Sequence, residues 1–424
     1  MNKSAEKDLV PELRFPEFKN DEEWKIKELS GKDVAIFVKD REPLDQLKLN
    51  SYVSTENLLA DYAGVAKASK LPPSGSFTSY KPNDVLISNI RPYLKKVWCA
   101  DKVGAASNDV IVIRPSAKVS AAYMLHTLKN DEFINFVMKG AKGVKMPRGD
   151  IASIKAYPVA LPRLLEQQKI ADCLSSLDEL VSAHNQKLDA LKAHKKGLMQ
   201  QLFPTEGETV PKLRFPEFEG EWRKTQLKKL GELVSGLTYS PTDVRDSGLL
   251  VLRSSNVQNR IISLKDNVYV TPNIKGSNLS KANDILICVR NGSKALIGKN
   301  ALIPEGMPVC THGAFMTVFR SPFAKFVFQL FQTNAYQKQV DADLGATINS
   351  INGRHFIKYE FYVPESFEQQ KIADCLSAID ELITAQSQKI EALKTHKKGL
   401  MQQLFPSIDN AHMDAKAEVG AWVS

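Results

Sequence analysis

The side chains in this chain best suited to chemistry are cations and amides gathered in loops, and they suit the gripping of nucleic acid. Lys142, Lys145 and Arg148 crowd the glycine-hinged stretch from Gly140 to Gly149, where ammonium and guanidinium groups would meet phosphates. Asn89, Arg91, Tyr93, Lys95 and Lys96 follow one short apolar run, and Arg290, Asn291, Ser293 and Lys294 follow another. Asn349, Asn352, Arg354 and His355 belong to a second glycine-bearing stretch, Gly345 to His355. Arginine is the usual two-pronged reader of a guanine edge, and asparagine suits adenine. For any one of these residues a solvated charge or a turn asparagine competes; the sets, taken together and repeated, favour DNA.

Signals for bond-making chemistry are missing. No phosphate-cradling loop ending in Gly-Lys-Ser/Thr occurs, and no Gly-x-Gly-x-x-Gly follows a strand-like run. Leu71-Pro-Pro-Ser74 lacks the preceding Asn or Asp and the following aromatic with which amino-methyltransferases grip an adenine. No His/Cys cluster has metal-ligand spacing, so neither a catalytic residue nor a metal site is expected. Cys310 and His312 read as a strand end rather than a dyad, and Arg148-Gly-Asp150 as turn chemistry.

The totals agree with a binding protein. The 424 residues allow two or more domains, charged residues make up 25%, and the formal net charge of +9 suits a polyanion without requiring one. Five cysteines form no C-x-x-C pair, which reads as reduced thiols in a cytoplasmic protein. The start is polar and no run is apolar enough for a membrane span.

Two long segments must position those loops. Glu166 to Pro204 returns almost verbatim as Glu368 to Pro406, and an internal repeat of this kind outranks any local motif. In the first copy the seam runs Ile170, Leu174, Leu177, Val181, His184, Leu188, Leu191, Lys195, Leu198 and Leu202. In the second it runs Ile372, Leu376, Ile379, Ile383, Gln386, Ile390, Leu393, Lys397, Leu400 and Leu404. Steps alternating four and three make a coiled-coil seam, broken by polar residues at matching places that can fix register. Each helix would span about 55 Å. Each copy is expected to pair with the other, antiparallel.

Outward positions match as well. Gln167, Gln168, Lys169 and Asp172 recur as Gln369, Gln370, Lys371 and Asp374, as if one partner docked twice on the same helical surface. A lead-in peptide, Pro11 to Phe18 with Trp24, also recurs, as Pro211 to Phe218 with Trp222. Phe15, Phe18 and Trp24 are expected to anchor it. The globular stretches have diverged, yet Lys81 to Ile87 still matches Lys281 to Ile287, a turn entering a buried strand. Strand-like runs are expected at 97–100, 110–113, 295–297 and 315–319, and helices over 121–137 and 323–340.

The paired EQQKIADCLSxxDEL helices, the LRFPEF peptides and the NDxLI strands resemble the specificity subunit of type I restriction-modification enzymes. The resemblance covers nearly the whole chain. It implies an α+β fold: two mixed α/β target-recognition domains separated by two long antiparallel coiled-coil helices, with a pseudo-twofold internal repeat. The expected parts are a lead-in and first recognition domain (1–165), a central spacer helix (166–204), a second lead-in and domain (205–367), a distal helix (368–406) and a fraying tail (407–424). The resemblance further implies a bipartite asymmetric DNA site, two methyltransferase subunits docked on the helices, and restriction subunits in a larger complex. S-adenosylmethionine, ATP and Mg would then belong to those partners, with no cofactor in this chain. A non-catalytic two-domain adaptor that binds proteins is the alternative, and a self-sufficient methylase is disfavoured by the missing motifs.

Overall fold

A computed structural model describes residues 9–344 and 349–408. Chain contacts divide it into two units, residues 1–185 with 389–424 and residues 186–388. Gly345 to Ile348 of the second glycine-bearing stretch and residues 409–424 of the tail lie outside the described residues.

Each unit holds one mixed domain of the same plan. In the first, Ala35–Phe37, Val110–Pro115, Val85–Ser88 and Val97–Cys99 form an antiparallel sheet in that order. A second sheet runs Arg41–Pro43, Ser76–Tyr80, Gly104–Ala106 and Tyr52–Val53, the last pair parallel. The other unit repeats the antiparallel order with Glu232–Ser235, Met316–Arg320, Ile285–Cys288 and Asn300–Leu302. All four residues of each central strand, Val85–Ser88 and Ile285–Cys288, are buried, as an uninterrupted apolar run demands.

The NDxLI motif closes each of these turns. Asn83 and Asn283 take left-handed backbone conformations, which asparagine tolerates. Asp84 and Asp284 are buried, accept the backbone N–H of Lys81 and Lys281, and hold Arg114 and Arg320 through two-pronged ion pairs.

Three local expectations change. The run 121–137 is two helices, Ala121–Lys129 and Asp131–Lys139, because Asn130 turns extended and caps the second by accepting from Glu132 N–H. The run 323–340 likewise breaks into Ala324–Leu330 and Asn334–Asp343 at the cap Thr333. Residues 294–296 form a 3-10 turn, and the strand begins later, at Asn300.

The repeats are unbroken helices, Leu164–Leu202 and Ser366–Leu404. Within the first unit, Ile170 and Leu174 share a core with Leu404 and Phe405; within the second, Ile372 and Leu376 share one with Leu202 and Phe203. The start of one helix thus packs with the end of the other in each unit, so the pairing is antiparallel. Its seam is buried at Ile170, Leu174, Lys195, Leu202, Ile372, Leu376, Ile379, Gln386, Ile390 and Leu404, while Leu177, Val181, His184, Leu188, Leu191, Ile383 and Leu393 are half-buried.

Two of the polar interruptions, the lysines, are ion pairs. Lys195 Nζ sits 2.7 and 2.8 Å from the carboxylate oxygens of Asp380, and Lys397 pairs with Asp178. Asp178 and Asp380 are the same repeat position, as are the two lysines, so one register satisfies both pairs. Burial lowers the pKa of both lysines and the aspartates oppose it.

Candidate nucleic-acid interface

In the first unit the two basic loops, far apart in sequence, form one rim. Arg91 N–H donates to Pro147 C=O (2.8 Å), Gly149 N–H donates to Asn89 C=O (3.0 Å), and Ile90 bridges to Arg148. Lys142 and Arg148 exchange backbone bonds of 3.0 and 2.9 Å, closing a small finger whose Lys142, Val144, Lys145 and Met146 face solvent. A Cβ at Gly149 would lie 2.8 Å from Asn89 Oδ1 and 2.9 Å from Val137 Cγ1, so a side chain there would displace its neighbours.

The rim sorts its cations. Lys142, Lys145 and Arg148 are exposed, and Tyr93 is half-exposed on a 3-10 turn. Lys95 is tied to Asp131 at 2.6 Å, and Lys96 donates to the Thr55 carbonyl, with burial and then the Arg91 charge lowering its pKa. Asn89 is buried, and Arg91 is half-buried in a left-handed backbone conformation. Lys95, Lys96 and Asn89 therefore first serve the fold of the loop.

The second unit builds the same rim from different residues. Arg290 bridges to Ser350, Ile351 N–H donates to Val289 C=O (2.8 Å), and the side chain of Asn349 donates to Gly292 C=O (3.0 Å). Asn291 reaches Ser254, and Lys294 is exposed. Asn352 caps the short helix Gly353–Phe356 by accepting from Arg354 N–H, and His355 Nδ1 sits 2.9 Å from Asp343. That leaves the Arg354 side chain pointing into solvent without a hydrogen-bond acceptor among the described residues. Both loop arginines follow equivalent strands, as the sequence indicates, but the bridges make Ile90 the counterpart of Arg290, and Arg91 that of Asn291, so the two arginines are not at the same position.

Cys310 and His312 are fully buried strand residues, with His312 between Ser280 Oγ (3.1 Å) and Val234 C=O (3.0 Å). Among the described residues no group of His, Cys, Asp and Glu is placed to hold a metal, and no helix is long and apolar enough to cross a membrane.

A family profile described as the type I restriction modification DNA specificity domain matches residues 22–193 and again 219–395. The chain belongs to this family. A relative, the type I restriction enzyme MjaVIII specificity subunit of Methanocaldococcus jannaschii, is 24% identical over 93% of each chain. The EcoKI specificity subunit of Escherichia coli is 26% identical over 46% of this chain and 44% of its own. Among solved structures, the type I restriction-modification S subunit from M. genitalium shares the fold, with a TM-score of 0.60 and 14% identity over 94% of this chain and all of that one.

In this specificity-family chain much of the repeat identity has an internal cause. Arg14, in the first LRFPEF peptide, makes a buried two-pronged ion pair with Glu166 at 2.7 and 2.8 Å while also donating to the carbonyls of Asp21 and Glu22. Trp24 Nε1 joins at 3.3 Å. Arg214 and Glu368 repeat the pair at 2.8 Å. Leu13 N–H caps the end of the second long helix at Gln403 C=O, and Leu213 N–H caps the first at Gln201 C=O. Each peptide clamps the start of one helix to the end of the other.

Gln167 and Gln369 are correspondingly turned inward, each donating to the carbonyl of the proline before its helix, Pro162 or Pro364. Burial removes both from any docking surface. Lys169 and Lys371 face out but pair with Glu17 and Glu217 and lie over Phe15 and Phe215. Gln168 with Asp172, and Gln370 with Asp374, stay exposed as identical pairs at 2.8 Å. The same exposed faces carry Leu165 and Leu180 in one copy and Phe367 and Leu382 in the other, apolar residues that sequence reasoning passed over. They fall outside the seam period, and only solvent exposure marks them.

Proposed function

We propose that this chain, a specificity subunit with two recognition domains, reads a bipartite asymmetric DNA site with one domain per half-site. Two methyltransferase subunits would sit on the matching helix faces, and restriction subunits would complete the assembly in the cytoplasm. Methyl transfer from S-adenosylmethionine and ATP- and Mg-dependent translocation and cleavage are assigned to those partners, and this chain supplies recognition without catalysis. The long helices would act as a spacer between half-sites.

The observation that carries the reading is the convergence, in each domain, of two sequence-distant loops into one rim with exposed Lys142, Lys145 and Arg148, or Arg290, Lys294 and Arg354. The repeated exposed pairs Gln168–Asp172 and Gln370–Asp374, with Leu180 and Leu382 on the same faces, support docking of one kind of partner twice.

Replacing Lys145 and Arg148 with Ala in the assembled complex tests the rim. If Lys145 meets a phosphate, the slope of log affinity against log salt falls by about 1, since the lost contact releases about one counterion fewer, and removing the Arg148 charge from the groove adds at most about 1 more. An unchanged slope would take the finger out of the interface.

A further inference from the structure

One place in each domain holds an arginine, delivered from opposite sides of the same bridge. In the first domain the bridge joins Ile90 to Arg148, and in the second the counterparts are Arg290 and Ser350. The arginine thus comes from the late loop in one domain and from the early loop in the other. Beside it stands the residue just before a central strand, fixed by its own carbonyl. Asp109 C=O accepts from Asn89 N–H (2.8 Å); Phe315 C=O accepts from Val289 N–H (3.0 Å) and Arg290 N–H (3.1 Å).

That neighbour holds the guanidinium differently in the two domains. Arg148 Nη2 meets Asp109 Oδ1 at 2.8 Å, whereas the Arg290 guanidinium lies 5.8 Å from the centre of the Phe315 ring with its Nε 3.5 Å from Ser350 Oγ. Phe315 is 59% exposed, so its ring contributes little to the domain core. Among the described residues either hold leaves a two-pronged edge of the guanidinium free: in Arg148 the second Nη2 hydrogen with its neighbour Nη1 or Nε, in Arg290 the two terminal nitrogens. A phosphate is met by a cation in many poses. A guanine edge needs two N–H groups in one plane, and an arginine held by a second group loses less freedom on meeting it.

We propose that Arg148 and Arg290 each read one guanine in the major groove, and that Asp109 and Phe315 are the positioning residues that aim them. The proposal rests on the reading of the chain as a two-domain DNA reader. It makes positions 109 and 315 a source of difference between the half-sites, since one aims its arginine by charge and the other by an aromatic face.

The test begins from the site mapped by sequencing methylated DNA from cells that co-express this chain with its methyltransferase subunit. Duplexes carrying that site, with each guanine replaced in turn by 7-deazaguanine, are titrated with the purified complex. One guanine per half-site should lose about tenfold in affinity when its N7 is removed, within the span expected of one bidentate contact. Arg290→Ala should abolish that sensitivity in one half-site and leave the other intact. Phe315→Ala should reduce it at the same guanine, and Phe315→Tyr, which keeps the ring face, should restore it. Asp109→Ala should act in the same way on the other half-site. Half-sites without a sensitive guanine, or a Phe315→Ala complex as sensitive as the parent, would overturn the proposal while leaving the two-domain reading in place. A parent complex with no sequence preference at all would instead remove that reading.

Discussion

His126 is fully buried, with its Nε2 3.1 Å from Ser175 Oγ. Burial, reinforced by the charges of Lys397 and Lys129, pushes its pKa down to about 3. A folded-state pKa below the unfolded one near 6.5 means stability present above pH 6.5 and lost as pH falls toward 3. His126→Gln should therefore flatten the urea midpoint between pH 6.5 and 5, where the native histidine accounts for a loss of about 2 kcal/mol. Parallel pH profiles for the two proteins would contradict the burial. Arg14 was not legible as a clamp. Its neighbours Phe15, Phe18 and Trp24 announced an anchor, but the ion pair with Glu166 joins residues too distant in sequence for spacing to reveal.

At the scale of elements, periodicity was the most legible signal. The two long helices and their seam follow from alternating steps of four and three, because a seam must face its partner throughout. Direction was less legible, since either orientation buries the same apolar residues; the Lys195–Asp380 and Lys397–Asp178 pairs distinguish them. Breaks such as Asn130 and Thr333 escaped because a capping side chain leaves the apolar pattern nearly intact. The rim was legible as a set of basic loops, but not which loop cations the fold already occupies, as with Lys95 and Asp131. The seam pairs also predict an asymmetry. The Lys195 side chain is 9% exposed and that of Asp380 34%, so Asp380→Ala leaves a buried ammonium its hydrogen bond to Gln332 Oε1 but no counter-charge, and should cost about 2 kcal/mol. Lys195→Met leaves a carboxylate that water and Gln329 still reach and should cost under about 1 kcal/mol. Chemical denaturation of both variants decides; the reverse order would mean the pair does not set the seam.

The whole molecule is one unit of lead-in peptide, recognition domain and clamped helix, present twice, with a shared scaffold and differing loops. Shared scaffold contacts such as Arg14–Glu166 and Arg214–Glu368 stand beside rims built from different residues. A duplicated scaffold with independent readers should be modular. Exchanging residues 25–165 for the corresponding domain of another family member, co-expressing the chimera with the methyltransferase subunit, and mapping methylated bases by single-molecule sequencing of genomic DNA tests this most directly. A new sequence is expected in one half-site, with the other half-site and the spacer unchanged. A change in both half-sites would contradict that modularity.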